Sequence, residues 1–261
     1  MIELNNLTRC FGDVTAVDDI TLSIPAGQIC GYLGPNGAGK TTTVRMLTGM
    51  LPPTSGTAKV AGFDILSQRL DAQRRMGVVP ESGALYQSLT PEEYLRFVGR
   101  LYGMDDPTIR TKTEEFLRFF GMESQLRQRM TTFSKGMKQK VVIAAALIHN
   151  PGVLFLDEPL SGLDANAALM LKALIRSLAD EGKTVFYCSH VLEVVETLCD
   201  RVVILDKGRI VADGSVSELK QMTQRTSLES VFAGLTSAGD LGELARIFSK
   251  TVTGSGQAEQ K

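Results

Sequence analysis

The sequence predicts an α/β fold, a largely parallel sheet with a block of helices inserted near residues 90–145. Three observations predict it. Short apolar runs at residues 28–33, 153–156 and 184–188 have the length of fully buried strands. Each is followed by a segment with apolar residues at helical spacing. Between residues 90 and 148 the texture changes to helix after helix, with no strand pattern.

The elements follow in order. Residues 2–24 carry Leu4, Leu7, Val14, Val17, Ile20, Leu22 and Ile24, and read as strands broken by a turn at Phe11-Gly12-Asp13. The strand at 28–33 runs into a glycine-rich loop. Residues 41–50 then place Val44, Met46, Leu47 and Met50 on a helix, closed by the turn signals Pro52-Pro53 and Ser55-Gly56. Thr90 is the expected N-cap of a helix beginning at Pro91. Pro107 begins a second helix that stops at Gly121, and a third follows Ser134 and carries the apolar run 141–148. Alternation resumes with a strand at 153–156, a helix at 166–179, a strand at 184–188 and a helix at 191–199. Residues 202–205 and 210–212 flank Asp206-Lys207-Gly208-Arg209 as a hairpin. Residues 1–235 are expected to form one domain and 236–261 a short extension. Beyond Lys250 apolar periodicity is absent, which predicts disorder.

Lys plus Arg number 28 and Asp plus Glu 29, for a net charge of −1, which argues against the nucleic-acid backbone as the main partner. With 43% hydrophobic residues the chain can build a core, so disorder is excluded as its dominant state. The run 141–148 falls far short of the roughly 18–20 residues that span a bilayer. No basic region precedes an apolar run at the start, so no secretory signal is expected. Cys10, Cys30, Cys188 and Cys199 form no CxxC pair and read as buried or half-buried thiols of a reducing compartment. The expected location is the cytoplasm or the cytoplasmic face of a membrane.

Gly34-Pro35-Asn36-Gly37-Ala38-Gly39-Lys40-Thr41 matches G-x-x-x-x-G-K-[ST] at every position and lies between a strand and a helix, as that motif requires. Its backbone N–H groups, with those of Thr42 beyond, suit a phosphate chain. Lys40 offers a point charge to the β- and γ-phosphates, and Thr41 offers a hydroxyl to Mg²⁺. In Val153-Leu154-Phe155-Leu156-Asp157-Glu158, four apolar residues bury a strand so that two acids emerge at its C-terminal end. Asp157 suits Mg²⁺ and Glu158 suits the orientation or deprotonation of a water. Phe133-Ser134-Lys135-Gly136-Met137-Lys138-Gln139-Lys140 opens a helix with a serine cap and a nearby glycine, a second anion-binding arrangement.

With these motifs in this order, the chain resembles the nucleotide-binding subunit of ABC transporters over residues 1 to about 235. Residues 133–137 look like a variant of that family's LSGGQ signature. Ser161-Gly162-Leu163-Asp164 resembles its D-loop, His190 its switch histidine, and Phe11 the aromatic that stacks on adenine. For Phe11, simple core packing stands as a second reading. The resemblance implies a P-loop NTPase of ABC-ATPase type, a RecA-like core with an antiparallel β subdomain and an inserted helical subdomain. It implies ATP and Mg²⁺, two subunits meeting head to tail (a homodimer), and integral membrane permease subunits as partners. Each ATP would lie between the loop of one subunit and Ser134, Gly136 and Asp164 of the other, with Glu158 and His190 acting in cis.

Two departures from the family pattern matter. Glu81 follows Met76-Gly77-Val78-Val79-Pro80, where the family usually has glutamine, and Lys135 and Met137 replace Gly and Gln in the signature. Glu81 is taken as that glutamine's equivalent, a Mg²⁺ ligand unable to donate a hydrogen bond while ionised. With Leu228-Glu229-Ser230-Val231-Phe232, these features resemble the ABC-2-type exporter branch of drug, sodium and polysaccharide exporters. Residues 228–232 read equally as a surface helix packing on its own core. The loop at 81–89, small and apolar, is the expected permease groove. The competing reading is an ATP-switched regulatory or assembly factor without transport. A GTPase is disfavoured, since Leu205-Asp206-Lys207-Gly208 lacks the guanine-reading asparagine.

Overall fold

The computed structural model describes residues 1–81 and 85–236. The hairpin β1 (Ile2–Phe11) and β2 (Val14–Ile24) leads into β3 (Ile29–Leu33) and α1 (Lys40–Leu47). Next come β4 (Ser55–Val60), β5 (Phe63–Asp64), α2 (Arg69–Arg74) and β6 (Met76–Val79). The inserted helices are α3 (Pro91–Leu101), α4 (Asp106–Phe119) and α5 (Lys135–Leu147). The chain returns through β7 (Val153–Asp157), α6 (Ala165–Asp180), β8 (Thr184–Cys188) and α7 (Leu192–Leu198). It continues with β9 (Arg201–Asp206), β10 (Arg209–Gly214), α8 (Val216–Thr223) and α9 (Leu228–Leu235).

Among the described residues the strands form two sheets. One is antiparallel, in the order β2-β1-β4-β5. The other runs β10-β9-β3-β8-β7-β6 and is parallel apart from the β9–β10 hairpin. The parallel strands alternate with period two between two cores. Ile29, Leu33, Leu154, Leu156, Val185 and Tyr187 face the helices, and Cys30, Tyr32, Val153, Phe155, Phe186 and Cys188 face the antiparallel sheet. Phe186 stands between Tyr32 and Phe155, with ring centroids 4.6 and 5.5 Å away. Both faces of β3, β7 and β8 are therefore dry, which is why their sequences read as unbroken apolar runs.

Local chemistry explains the boundaries. The α3 start is a capping box: Thr90 Oγ1 accepts from the Glu93 N–H, and the Glu93 carboxylate accepts from the Thr90 N–H. Asp105 caps α4 one residue earlier than Pro107 suggests. The run at 141–148 is the buried half of α5, with Val141 to Ala146 all inside. No helix among the described residues is long and apolar enough to cross a membrane. The first helix ends at Leu47, short of the expected Met50, because Gly49 takes a left-handed conformation. Where the sequence shows only turn signals at Ser55-Gly56, the structure begins β4, which offers just Ala58 and Val60 to the core. The tail beyond Lys250 lies outside the described residues.

The Tyr32 hydroxyl, fully buried, donates to Thr43 Oγ1 at 3.2 Å, and Thr43 Oγ1 donates to the Gly39 carbonyl at 3.0 Å. This chain ties the start of α1 to the sheet beneath it. Tyr32→Phe leaves Thr43 with its carbonyl partner, so the expected loss is about 1 kcal/mol. It is measured as a lower urea midpoint with an unchanged slope; an unaltered midpoint would mean the tie is not stabilising.

Candidate functional site

The C-terminal ends of β3, β6, β7 and β8 open onto one edge of the parallel sheet, the usual ligand crevice of such folds. A cavity of about 780 Å³ occupies that edge, a volume suited to a bound small molecule. The structure brings together there Gly34, Pro35, Asn36, Gly37, Gly39, Lys40, Thr41, Thr42, Glu81, Asp157, Glu158 and His190. Ala38 is buried in the core beneath them, so only its backbone belongs to the loop.

The loop is shaped by where side chains cannot go. Gly39 sits at φ 106°, and a Cβ on it would lie 2.4 Å from the Ala16 carbonyl oxygen. Gly39 is also the N-cap of α1, which has neither a side-chain cap nor an acidic residue in its first turn. The positive end of that helix is left open to an anion. Lys40 Nζ reaches back over the loop and donates to the carbonyls of Gly34 (2.6 Å) and Pro35 (3.1 Å).

Opposite stands an acidic group. Burial pushes the Asp157 carboxyl up from 3.8 to about 6, with Glu81 and Glu158 adding to the rise and Lys40 and Arg45 opposing it. Glu158 adopts a left-handed backbone at φ 49°, and its N–H donates to the Cys188 carbonyl at 2.9 Å. Three donors fix its carboxylate: the His190 N–H (2.7 Å), His190 Nδ1 (2.7 Å) and the Ser189 hydroxyl (3.1 Å). Since a carboxylate only accepts, His190 Nδ1 carries the proton in this contact. Glu158 is 15% exposed and His190 82%, so the carboxylate is held within the site while the imidazole stands at its mouth. A fixed carboxylate beside an anion-binding loop can take a proton from a water.

Phe11, Ser134, Gly136 and Asp164 do not line this cavity. Phe11 is 47% exposed at the end of β1, with the Arg9 guanidinium 4.6 Å over its ring, so core packing does not describe it. Ser134 caps α5 by accepting from the Met137 N–H at 3.2 Å. A Cβ on Gly136 would lie 2.3 Å from the Gly162 carbonyl oxygen, so the first turn of α5 and the loop after Glu158 touch through their backbones. Three side chains of α5 hold the loop after Glu158. Lys135 Nζ donates to Ser161 Oγ (2.8 Å), buried Gln139 donates to the Pro159 carbonyl (3.0 Å), and Lys140 pairs with Asp164 at 3.5 Å. Asp164 also caps α6 by accepting from the Ala167 N–H.

Ala16, Leu192 and Phe232 also line the cavity and Ser189 holds Glu158; none was expected there from the sequence, where Phe232 figures only in the segment 228–232. Ser189 had a signal, its place beside His190 at a strand end; the apolar three had none. Leu228 and Val231 are fully buried, so the segment 228–232 does pack on its own core. In the expected permease groove, residues 82–84 lie outside the described residues. Beside them Tyr86 is 64% exposed and meets Phe97 edge-on at 5.9 Å. A separate cleft of about 360 Å³ lies between the sheet edge and the inserted helices, lined by Met50, Tyr94, Val98, Tyr102, Val142 and Ala145 among others.

A family profile described as "ABC transporter" matches residues 17–161. The chain is 39% identical over 238 residues to the ABC transporter ATP-binding protein NatA of Bacillus subtilis (strain 168), covering 89% of this chain and 96% of that protein. It is 37% identical over 219 residues to the Nod factor export ATP-binding protein I of Cupriavidus metallidurans, covering 84% and 72%. A solved ATP-binding subunit of an ABC transporter superposes with a TM-score of 0.86 at 30% identity, covering 90% of this chain and 99% of that one.

The raised Asp157 pKa makes a stability prediction. In the unfolded chain the carboxyl titrates at 3.8 and in the fold at about 6, so the fold binds the proton more tightly. Stability therefore falls as pH rises from about 4 to 6, and the cost is fully present at pH 7.5. Asp157→Asn removes it: without nucleotide, Tm should rise by roughly 2–4 °C at pH 7.5. The gain should vanish toward pH 4. An equal gain at both pH values in thermal melts would contradict the electrostatic cause.

Proposed function

The chain belongs to the ABC transporter family and is an ATP-binding, ATP-hydrolysing cassette, and from that premise we propose that it is the motor subunit of an exporter. In this reading two copies close around two ATP molecules and drive a separate membrane permease from the cytoplasmic face. The observation that carries it is the division of the motifs between two places. The cavity holds the phosphate loop and Glu158, while Ser134, Gly136 and Asp164 lie outside it, tied to the loop that follows Glu158. One copy thus has half of a γ-phosphate site on each of two surfaces, and a second copy supplies the complement. Export is supported by the likeness to a protein that serves Nod factor export.

The chemistry follows from the groups in place. The N–H groups of the loop and the first turn of α1 take the phosphate oxygens, and Lys40 exchanges its two carbonyl partners for them. Glu158, aimed by His190 and Ser189, accepts the proton of the attacking water. Phe11, exposed at the hairpin tip, offers a face to the adenine. Among the described residues no three His, Cys, Asp or Glu side chains make a protein-only metal cage. Thr41, Asp157 and Glu81 supply hard oxygen donors beside the phosphate site, and a cation would offset both the burial that chiefly raises Asp157 and the Glu81 and Glu158 charges that add to it. These residues fit Mg²⁺, which takes one or two carboxylates with phosphate and water and would neutralise phosphate charge there. The permease would dock on the cleft walled by Met50, Tyr94 and Tyr102 and on exposed Tyr86.

Glu158→Gln should lower ATP turnover roughly 100-fold or more while ATP binding persists. A tagged Glu158→Gln chain with ATP and Mg²⁺ should bring down a polytopic membrane protein in near-stoichiometric amount from detergent-solubilised membranes, identified by mass spectrometry. Recovery of soluble factors or ribosomes alone would remove the transport reading and favour the regulatory one. Within the complex, Glu81→Gln should keep part of the ATPase activity and Glu81→Ala should lose coupling to transport. If both activities are indifferent to Glu81→Ala, Glu81 has no part in the site. Tyr86→Ala should cut stimulation by the permease and spare ATP binding, as read by ATPase assay and nucleotide titration.

A further inference from the structure

One wall of the nucleotide cavity comes from the far end of the chain. Phe232, on α9, lines it together with Leu192 and His190. The rest of the lining is mostly small, polar or acidic, so two large apolar side chains there need a reason.

The need for support at this point is visible. His190 is 82% exposed, and among the described residues its ring has one polar tether, to Glu158. The helix that follows, α7, has only seven residues, and its N-cap, Val191, supplies no side-chain hydrogen bond. Its first turn is closed by backbone bonds, the Val191 carbonyl accepting from the Val194 and Val195 N–H groups. Buried Val195 seats α7 on β3, close over Gly31, and further support lies C-terminal to it. Lys220 of α8 pairs with Glu196, and α9 packs against both α7 and α8. The α9 helix is itself well fixed. Leu228 and Val231 are fully buried, Ser227 caps its start, and the Phe232 carbonyl accepts from both the N–H and the hydroxyl of Thr236. Phe232 is therefore a rigid aromatic on an anchored helix, presented to the cavity beside the residue that starts α7.

We infer that Phe232 is a positioning residue for ATP hydrolysis: with Leu192 it forms an apolar wall that keeps the His190 segment, and through His190 the Glu158 carboxylate, aligned on the phosphate end of the cavity. It acts through His190 and not on the nucleotide, and this separates it from a binding residue. Its loss lowers turnover without changing affinity, and has no further effect once the imidazole is gone.

The test is a double-mutant cycle on the full chain with ADP affinity as a control. Phe232→Ala should lower kcat about 3- to 10-fold, with KM for ATP and Kd for ADP within about twofold of the parent. Phe232→Leu should restore most of the turnover. His190→Ala and the His190→Ala/Phe232→Ala double variant should have kcat values within about twofold of each other. An unchanged kcat in Phe232→Ala overturns the inference, and so does a full additional loss in the His190→Ala background. A tenfold weakening of ADP binding also overturns it, since that would make Phe232 a binding or folding residue. If Phe232→Ala does not fold, Phe232→Leu takes its place in the cycle with an expected loss of about twofold; in the His190→Ala background a further loss under about 1.3-fold supports the inference and a full twofold loss overturns it.

Discussion

Because β3, β7 and β8 are buried on both faces, a slip of one residue in any of them would exchange the side chains of two different cores. Tyr32 and Phe155 cannot trade places with Leu33 and Leu156 without driving aromatics into the helix layer and leaving voids between the sheets. The register is therefore fixed, and with it the position of every strand end. Asp157 lies opposite Cys188 in the ladder, which sets Glu158 one residue beyond β7 within reach of Ser189 and His190 beyond β8. The site inherits its geometry from a hydrophobic constraint several residues beneath it.

The same edge is where the fold accepts unfavourable terms. Asp157 is partly desolvated among like charges, Glu158 occupies a left-handed backbone, and the α1 N-terminus has no cap. Each is a departure that an ordinary strand–loop–helix junction would avoid, at a cost of order 1–3 kcal/mol for the backbone strain alone. They are tolerated because the elements around them are over-determined: Thr43 is fully buried, and Glu158 is held by three donors. A phosphate group meets several of these needs at once, since it supplies the acceptors that the loop and the helix terminus lack.

The phosphate loop was legible because its chemistry is local. Eight consecutive residues carry the turn, the cap and the charge, and nothing distant is needed to recognise them. The Asp157-Glu158 pair was legible for the related reason that four buried residues announce a strand and its end. The contact between Glu158 and His190 spans 32 positions, so composition and periodicity are silent about it, and the family resemblance named the two residues but not their contact. Gln139 and Lys135 gave no hint of gripping the loop after Glu158, since a polar residue on a helix face looks the same whether it meets solvent or a carbonyl 20 positions away. Ala16 and Phe232 are chemically plain residues that matter by placement. Among the elements, β4, β5 and α2 were the weakest in the sequence, because a strand with one mostly exposed face, a two-residue edge strand and a short exposed helix put few apolar side chains into any core.

The strand pairing that aligns Asp157 also puts a sulfur beneath the nucleotide cavity. Cys188 is buried, and desolvation raises its thiol far above the ordinary range, with the nearby Asp157 charge adding to the rise. Cys30 is pushed up to about 12 by the same cause. The thiolate is the reactive form, and at neutral pH a thiol of that pKa is ionised in only about one molecule in 10⁵. Peroxides and alkylating reagents thus meet a chemically quiet interior. A cysteine sits directly under the acidic residues of this ATPase, and burial holds it in the protonated, poorly nucleophilic form.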